Sequence, residues 1–184
     1  MKATGIVRRI DDLGRVVVPK EIRRTLRIHE GDPLEIFTDS NGSIVLKKYS
    51  PIGELSEYAR YFSQAIGNVI GRTVLICDRD YIISASGERR KDYAEKRISQ
   101  ELENIIANRS AVIRRTPSDG KCTPICDGEN TDRIFAQVIR PIISEGQPIG
   151  AVIVLANNSG DQFTDVETKS AEVAAVYLGS QMEQ

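Results

Sequence analysis

The sequence is poor in the residues on which most catalytic and metal sites depend. It has one histidine, His29, and three cysteines. An odd number of cysteines argues against a disulfide framework. A structural zinc site takes four Cys or His ligands. The pair Cys122 and Cys126 would have to find two more, and His29 lies far away in the sequence. Cys77, within an apolar run, reads as a core residue. His29 beside Glu30 reads as a surface residue rather than a base. No Ser/His/Asp set, phosphate-cradling glycine loop or nucleotide fingerprint occurs. The expectation is a protein that is not an enzyme and has neither cofactor nor metal. The chain also lacks an apolar run of about 18 residues, which excludes a membrane-spanning helix. Its charged start has no apolar segment, which predicts no secretory leader and a cytoplasmic location.

What is present is ordinary in total and uneven in distribution. With 184 residues, 40% apolar and 28% charged, the chain has the composition of one large or two small folded domains. The net charge of −1 conceals an asymmetry. Residues 1–50 hold ten Lys and Arg against seven acids, and residues 1–28 hold eight against three. The remainder is net acidic. On charge alone, a polyanion-binding face and an ordinary solvated face are equally good readings of that excess.

The basic segment is built around Leu13-Gly14-Arg15-Val16-Val17-Val18-Pro19-Lys20-Glu21-Ile22-Arg23-Arg24. Asp11 to Gly14 is turn chemistry, Val16 to Val18 a β-branched run, and Pro19 suits the first turn of a helix. The pattern predicts strands over 4–10 and 16–18 and a helix over 21–27. Leu34 to Thr38 and Ile44 to Leu46 read as a hairpin around Asn41-Gly42. Fifty residues of short strands bury too little surface to be stable alone, so an obligate dimer is expected.

The junction falls at residues 51–53, where Pro51 and Gly53 break the pattern and the charge balance changes sign. A helix follows over 54–70, with Leu55, Tyr58, Ala59, Phe62, Ile66 and Val69 forming an apolar stripe. Strands are predicted over 73–77, 81–85, 111–113, 134–143 and 149–156, and a helix over 98–108. Residues 116–132 read as a long structureless loop, of the kind that caps a site or moves. Thr164 and Glu167 form a capping box for a last helix reaching about Met182. Its stripe is Ala171, Ala174, Ala175, Leu178 and Met182. Tyr81, Tyr93, Phe135 and Arg140 are candidates to line a pocket, and core packing explains the aromatics equally well.

The run Gly14 to Arg23, continued by Gly31-Asp32-Pro33-Leu34-Glu35-Ile36 and Ile44-Val45-Leu46-Lys47-Lys48-Tyr49, resembles the signature of the AbrB-type transition-state regulators. These are bacterial DNA-binding proteins with a swapped-hairpin fold. The stretch 146–155, with Phe163-Thr164-Asp165-Val166-Glu167, more loosely resembles the end of a GAF domain. The resemblances imply an α+β protein. An N-terminal swapped-hairpin β-barrel, an intertwined dimer formed by residues 1–50, precedes a C-terminal GAF-like α+β domain over 54–184. They imply a sequence-specific regulator of sporulation genes, activator and repressor, acting on double-stranded DNA in the forespore. Arg8, Arg15, Arg23 and Arg24 match family positions whose cations contact DNA, with Lys2 and Arg9 as phosphate partners. A GAF-like domain implies oligomerisation, here a dimer of dimers, and is compatible with sensing a small-molecule effector. Two other classes stay open at this point: an antitoxin-like protein-binding module, and a GAF-fold redox enzyme using Cys122 or Cys126.

Overall fold

The computed structural model describes residues 5–50 and 56–183. The expected junction at 51–53, Leu55 of the first stripe, and Lys2 all lie outside the described residues. The chain separates into two compact units, Met1–Tyr49 and Ser50–Gln184.

In the first unit the chain uses one turn device twice. Asp11-Asp12-Leu13-Gly14-Arg15 and Asp39-Ser40-Asn41-Gly42-Ser43 share the pattern Asp-x-x-Gly-x. In the first, the Asp11 carboxylate accepts the N–H groups of Leu13 (3.0 Å) and Arg15 (2.8 Å). In the second, the Asp39 carboxylate accepts those of Asn41 (3.0 Å) and Ser43 (2.8 Å). Both glycines have positive φ, 77° at Gly14 and 78° at Gly42, where a Cβ is unfavourable. Around the second turn, β1 (Leu34–Thr38) pairs antiparallel with β2 (Ile44–Lys48).

Around the first turn no such ladder forms. Residues 5–10 and 16–18, expected as strands, are not paired into a sheet among the described residues. Their side chains explain it: Val7 is 86% exposed and Val17 71%, with Ile10, Leu13 and Val16 also exposed. One copy of this unit holds too few apolar residues to cover both of its hairpins. Helix α1 (Lys20–Thr25) is also shorter than expected.

The second unit is a five-stranded antiparallel sheet with helices on one face and a helix and loop on the other. Its strands are β3 (Thr73–Cys77), β4 (Ile82–Ser86), β5 (Val112–Arg114), β6 (Ala136–Ser144) and β7 (Gln147–Ala156), in the spatial order β4-β3-β7-β6-β5. Side-chain alternation sorts two cores. Val74, Ile76, Val138, Val152 and Val154 face α2 (Ser56–Ile70) and α5 (Asp165–Gln181). Leu75, Cys77, Ile139, Ile153 and Leu155 face α4 (Gln100–Ala107) and the loop beyond it. Burial on both faces is why β7 reads as an unbroken apolar run. A short helix, α3 (Arg90–Tyr93), brings the Tyr93 ring into the second core.

Two expectations of α2 and α5 meet different outcomes. The capping box of α5 forms: Thr164 Oγ1 accepts from Val166 N–H, and Glu167 accepts from Thr164 N–H at 2.8 Å. The α2 stripe divides instead. Ala59, Phe62 and Ile66 pack inward together with Ser63 and Gly67, whereas Tyr58 and Val69 point outward. The small Ser63 and Gly67 let the helix sit close to β4, which rotates Tyr58 and Val69 away from the sheet.

The expected structureless loop is packed and pinned. Cys122, Ile125 and Cys126 are buried beneath it. Fully buried Gln137 donates to Thr123 C=O (2.7 Å) and accepts from Thr123 N–H (2.9 Å), as a neighbouring strand would. Glu129 accepts from the N–H groups of Ile125 (2.7 Å) and Cys126 (3.3 Å) and from the Tyr93 hydroxyl (2.6 Å). Buried side chains and satisfied backbone groups replace the mobility that composition alone suggested.

Candidate nucleic-acid interface

The basic side chains of the first unit lie on its surface. Arg8, Arg9, Arg15, Lys20, Arg23 and Arg24 are all exposed, while Ile22 of α1 turns inward. Arg15 is held by a partner among the described residues: its Nε donates to Asp11 Oδ2 at 2.7 Å, with the guanidinium side chain 69% exposed. The Arg15 backbone N–H and then its side chain hold the Asp11 carboxyl below its ordinary pKa. This contact fixes the guanidinium beside the turn without burying it. Lys47 lies over the Phe37 ring at 4.7 Å. Lys48 donates to Arg27 C=O at 3.0 Å and lies 3.5 Å from Asp32, so its charge serves the fold.

Helix α1 ends in a Schellman motif. Ile28 N–H donates to Arg23 C=O (2.8 Å) and Arg27 N–H to Arg24 C=O (3.3 Å). The two arginines expected to meet DNA are therefore also the residues whose carbonyls the cap holds. Their backbone is fixed, and their side chains remain in solvent.

In the second unit the candidate pocket residues disperse. Tyr81 is exposed and lies beside Arg97. Tyr93 is core, and Arg140 faces Glu172 of α5 at 4.0 Å. Tyr81, Tyr93, Phe135 and Arg140 do not line the cleft of about 560 Å³ between α4 and the pinned loop, which is walled by Glu101, Asn104, Ile105, Lys121, Cys122 and Glu129, whereas Arg140 lines a second cleft of about 390 Å³ with Arg109, Glu172 and Val176. The three cysteines are free thiols, all buried. Burial is the largest influence on each and raises its pKa, to about 11 for Cys126. A thiol needs its thiolate to react. At pH 8, Cys126 is expected to alkylate roughly 100-fold more slowly than an ordinary thiol, a consequence of about two units of pKa. Mass spectrometry after timed iodoacetamide treatment measures this, and a rate equal to that of a free cysteine would show that the loop opens. No group of three or more Cys, His, Asp or Glu among the described residues is placed to hold a metal ion. No helix among them is long and apolar enough to cross a membrane.

Residues 54–183 match the family model described as stage V sporulation protein T C-terminal, transcription factor. Over its whole length the chain is 51% identical to stage V sporulation protein T of Bacillus subtilis strain 168, covering 100% of each sequence. The chain belongs to this family of transcription factors.

The first unit of this sporulation protein T family member is of the AbrB type. The transition state regulatory protein AbrB of Bacillus subtilis is 41% identical over 108 residues, 59% of this chain and 96% of that one. Residues 7–54 also match the model described as antidote-toxin recognition MazE, bacterial antitoxin. For the second unit, the GAF domain of PixJ from Thermosynechococcus elongatus superposes with a TM-score of 0.54 at 14% identity, over 74% of this chain and 89% of that one. Identity so low shows the fold alone, and the fold is GAF-like.

Proposed function

We propose that this transcription factor is a homo-oligomeric regulator of sporulation genes, activating some and repressing others. Residues 1–50 grip double-stranded DNA through Arg8, Arg15, Arg23 and Arg24, with Lys2 and Arg9 as phosphate contacts, and residues 54–184 assemble the subunits. The observation that carries this reading is the combination, in one unit, of exposed arginines and uncovered apolar segments. Pairing two copies covers Val7, Ile10, Val16 and Val17 and sets two sets of cations along one duplex.

Assembly through α2 and α5 follows from their outer faces. Helix α5 buries Ala171, Ala174 and Leu178 against the sheet yet exposes Val166, Val173 and Val176. Helix α2 exposes Tyr58, Tyr61 and Val69. A helix apolar on both faces needs cover on both. Joining two dimers this way tethers two DNA-binding units and raises apparent affinity without new contacts. An effector, if sensed, belongs to the second unit. The setting is the cytoplasm of the forespore.

The test is binding of the full chain to duplex DNA across a salt series, with the mass of the free protein measured by light scattering. Steeply salt-dependent binding and a four-chain mass are expected. Salt-insensitive behaviour overturns the DNA reading and favours protein recognition by the antitoxin-like unit. A two-chain mass at micromolar concentration overturns the dimer of dimers. The folded second unit weighs against the antitoxin reading, and the buried thiols of Cys122 and Cys126 weigh against the redox enzyme.

A further inference from the structure

The first unit carries its own control for what Arg15 does. The turns at Asp11 and Asp39 are closed by the same set of hydrogen bonds. Besides the two that each carboxylate accepts, Gly14 N–H donates to Asp11 C=O at 3.0 Å and Asp11 N–H to Arg15 C=O at 3.1 Å. In the second turn Gly42 N–H donates to Asp39 C=O and Asp39 N–H to Ser43 C=O, both at 3.1 Å. The fifth position is arginine in one turn and serine in the other, so the turn does not need a guanidinium. What Arg15 adds is the bond from its Nε to Asp11 Oδ2 at 2.7 Å. Oδ1 of the same carboxylate is held by two backbone N–H groups, so Oδ2 is a fixed anchor rather than the end of a loose side chain. Bonded through Nε, the guanidinium keeps Nη1 and Nη2 without a partner among the described residues, on a side chain 69% exposed. Two N–H groups presented end-on match two neighbouring acceptors on a base edge, such as guanine O6 and N7. The pair is also neutral as a unit. A cation already matched by a carboxylate adds little to the counterion release that drives phosphate binding. Neither Arg23 nor Arg24 is paired with a carboxylate among the described residues. Arg89 and Arg115 are bonded to Asp92 and Asp165 in the second unit, so such a pair gains this meaning only in a segment that meets DNA.

We propose that Asp11 is a positioning residue for DNA recognition, and that the Arg15 it holds reads a base edge while Arg23 and Arg24 bind phosphates. The inference rests on the DNA-binding reading above and divides its labour. Preference for sequence comes from the Asp11–Arg15 pair, and affinity for any duplex comes from the α1 cations.

The experiment compares wild type, Arg15→Ser and Asp11→Asn as full chains. The probes are a duplex enriched by the wild type from a random-sequence pool and a duplex of the same bases in scrambled order. Each protein is titrated onto both over a salt series, and each is melted. Arg15→Ser copies the second turn and is expected to melt with the wild type. It is expected to bind the enriched duplex roughly tenfold or more weakly and the scrambled one as wild type does, with the salt slope unchanged. Asp11→Asn keeps a side-chain oxygen for the backbone N–H groups but removes the anionic acceptor of Nε. The freed guanidinium then seeks phosphates. Preference for the enriched duplex should fall roughly tenfold while the scrambled duplex is bound more tightly at low salt, with the slope steeper by about 0.9 per subunit. A merely structural role would not give that gain. Equal weakening on both duplexes with a shallower slope in Arg15→Ser would make Arg15 a phosphate contact and overturn the proposal. Unchanged preference in Asp11→Asn would overturn the positioning role, and a lower melting temperature in Arg15→Ser would assign its side chain to the fold. A wild type that binds with salt dependence but enriches no sequence would also overturn the proposal. A wild type without salt-dependent binding would instead overturn the reading on which it rests, whatever the variants do.

Discussion

Replacing Arg23 and Arg24 together by alanine is expected to weaken duplex binding by roughly 100-fold or more near 0.1 M salt, without loss of folded protein. Both side chains are exposed, and α1 buries none of its residues. Alanine favours the helix, so α1 itself gains rather than loses. The backbone cap survives, because the carbonyls of residues 23 and 24 accept its hydrogen bonds whatever the side chains are. What goes is charge. A dimer loses four cations, and the slope of log affinity against log salt should fall by roughly three to four units at about 0.9 per contact. Fluorescence anisotropy with a labelled duplex measures both quantities. A variant that binds as wild type does would move recognition elsewhere on the chain. One that binds weakly but with unchanged slope would mean that the two arginines do not touch phosphates.

Gly179→Ala is expected to be among the most damaging small substitutions in the second unit. A Cβ at Gly179 would stand 2.1 Å from Ile143 C=O and 3.1 Å from its carbon, both backbone atoms of β6. Neither can rotate away, so α5 must lift off the sheet. Overpacking of this kind typically costs about 1–3 kcal/mol, and a backbone obstacle puts this site at the upper end. A loss of about 3 kcal/mol lowers the melting temperature by roughly 6–12 °C for a domain of this size. Gly160→Ala is the control, since a Cβ there meets nothing within 4 Å and its φ is not in the left-handed range. It should melt with the wild type. Equal melting of the two variants would show that α5 is not seated on β6 as described. Gly179→Ala should also lower the assembled mass if the outer face of α5 joins subunits, because lifting the helix displaces Val173 and Val176 with it.

Much of this was legible in the residues, for identifiable reasons. Strands β1 and β3 coincide with their expected bounds, since apolar runs between turn residues leave few alternatives. The capping box at Thr164 was readable because its signal is local. The pinned loop was not, because its order comes from Gln137 and Tyr93, distant side chains whose partners no window of sequence reveals. The outward turn of Tyr58 and Val69 is hidden for a similar reason: an apolar stripe does not reveal that Ser63 and Gly67 seat the helix against β4. In the candidate site, a motif points to the arginines, whereas the Arg15–Asp11 contact has its signal in a recurring turn. The same Asp-x-x-Gly-x pattern recurs at Asp39, and an aspartate that caps one turn can be expected to cap the other.

The sheet of the second unit dictates a schedule. Thr73 at the start of β3 pairs with Leu155 near the end of β7, about 80 positions later. During synthesis β3 and α2 emerge long before the strand that separates β3 from β6 exists, and pairings between such distant segments are slow to form. The first unit, by contrast, is built from neighbouring turns and, in the proposed dimer, a second copy of itself. A nascent chain therefore has its association-prone basic unit exposed while its larger unit is still waiting for β7. Neighbouring ribosomes on one message would then hold matching first units close together, and the concentration that the intertwined pair requires would be met before either chain is finished.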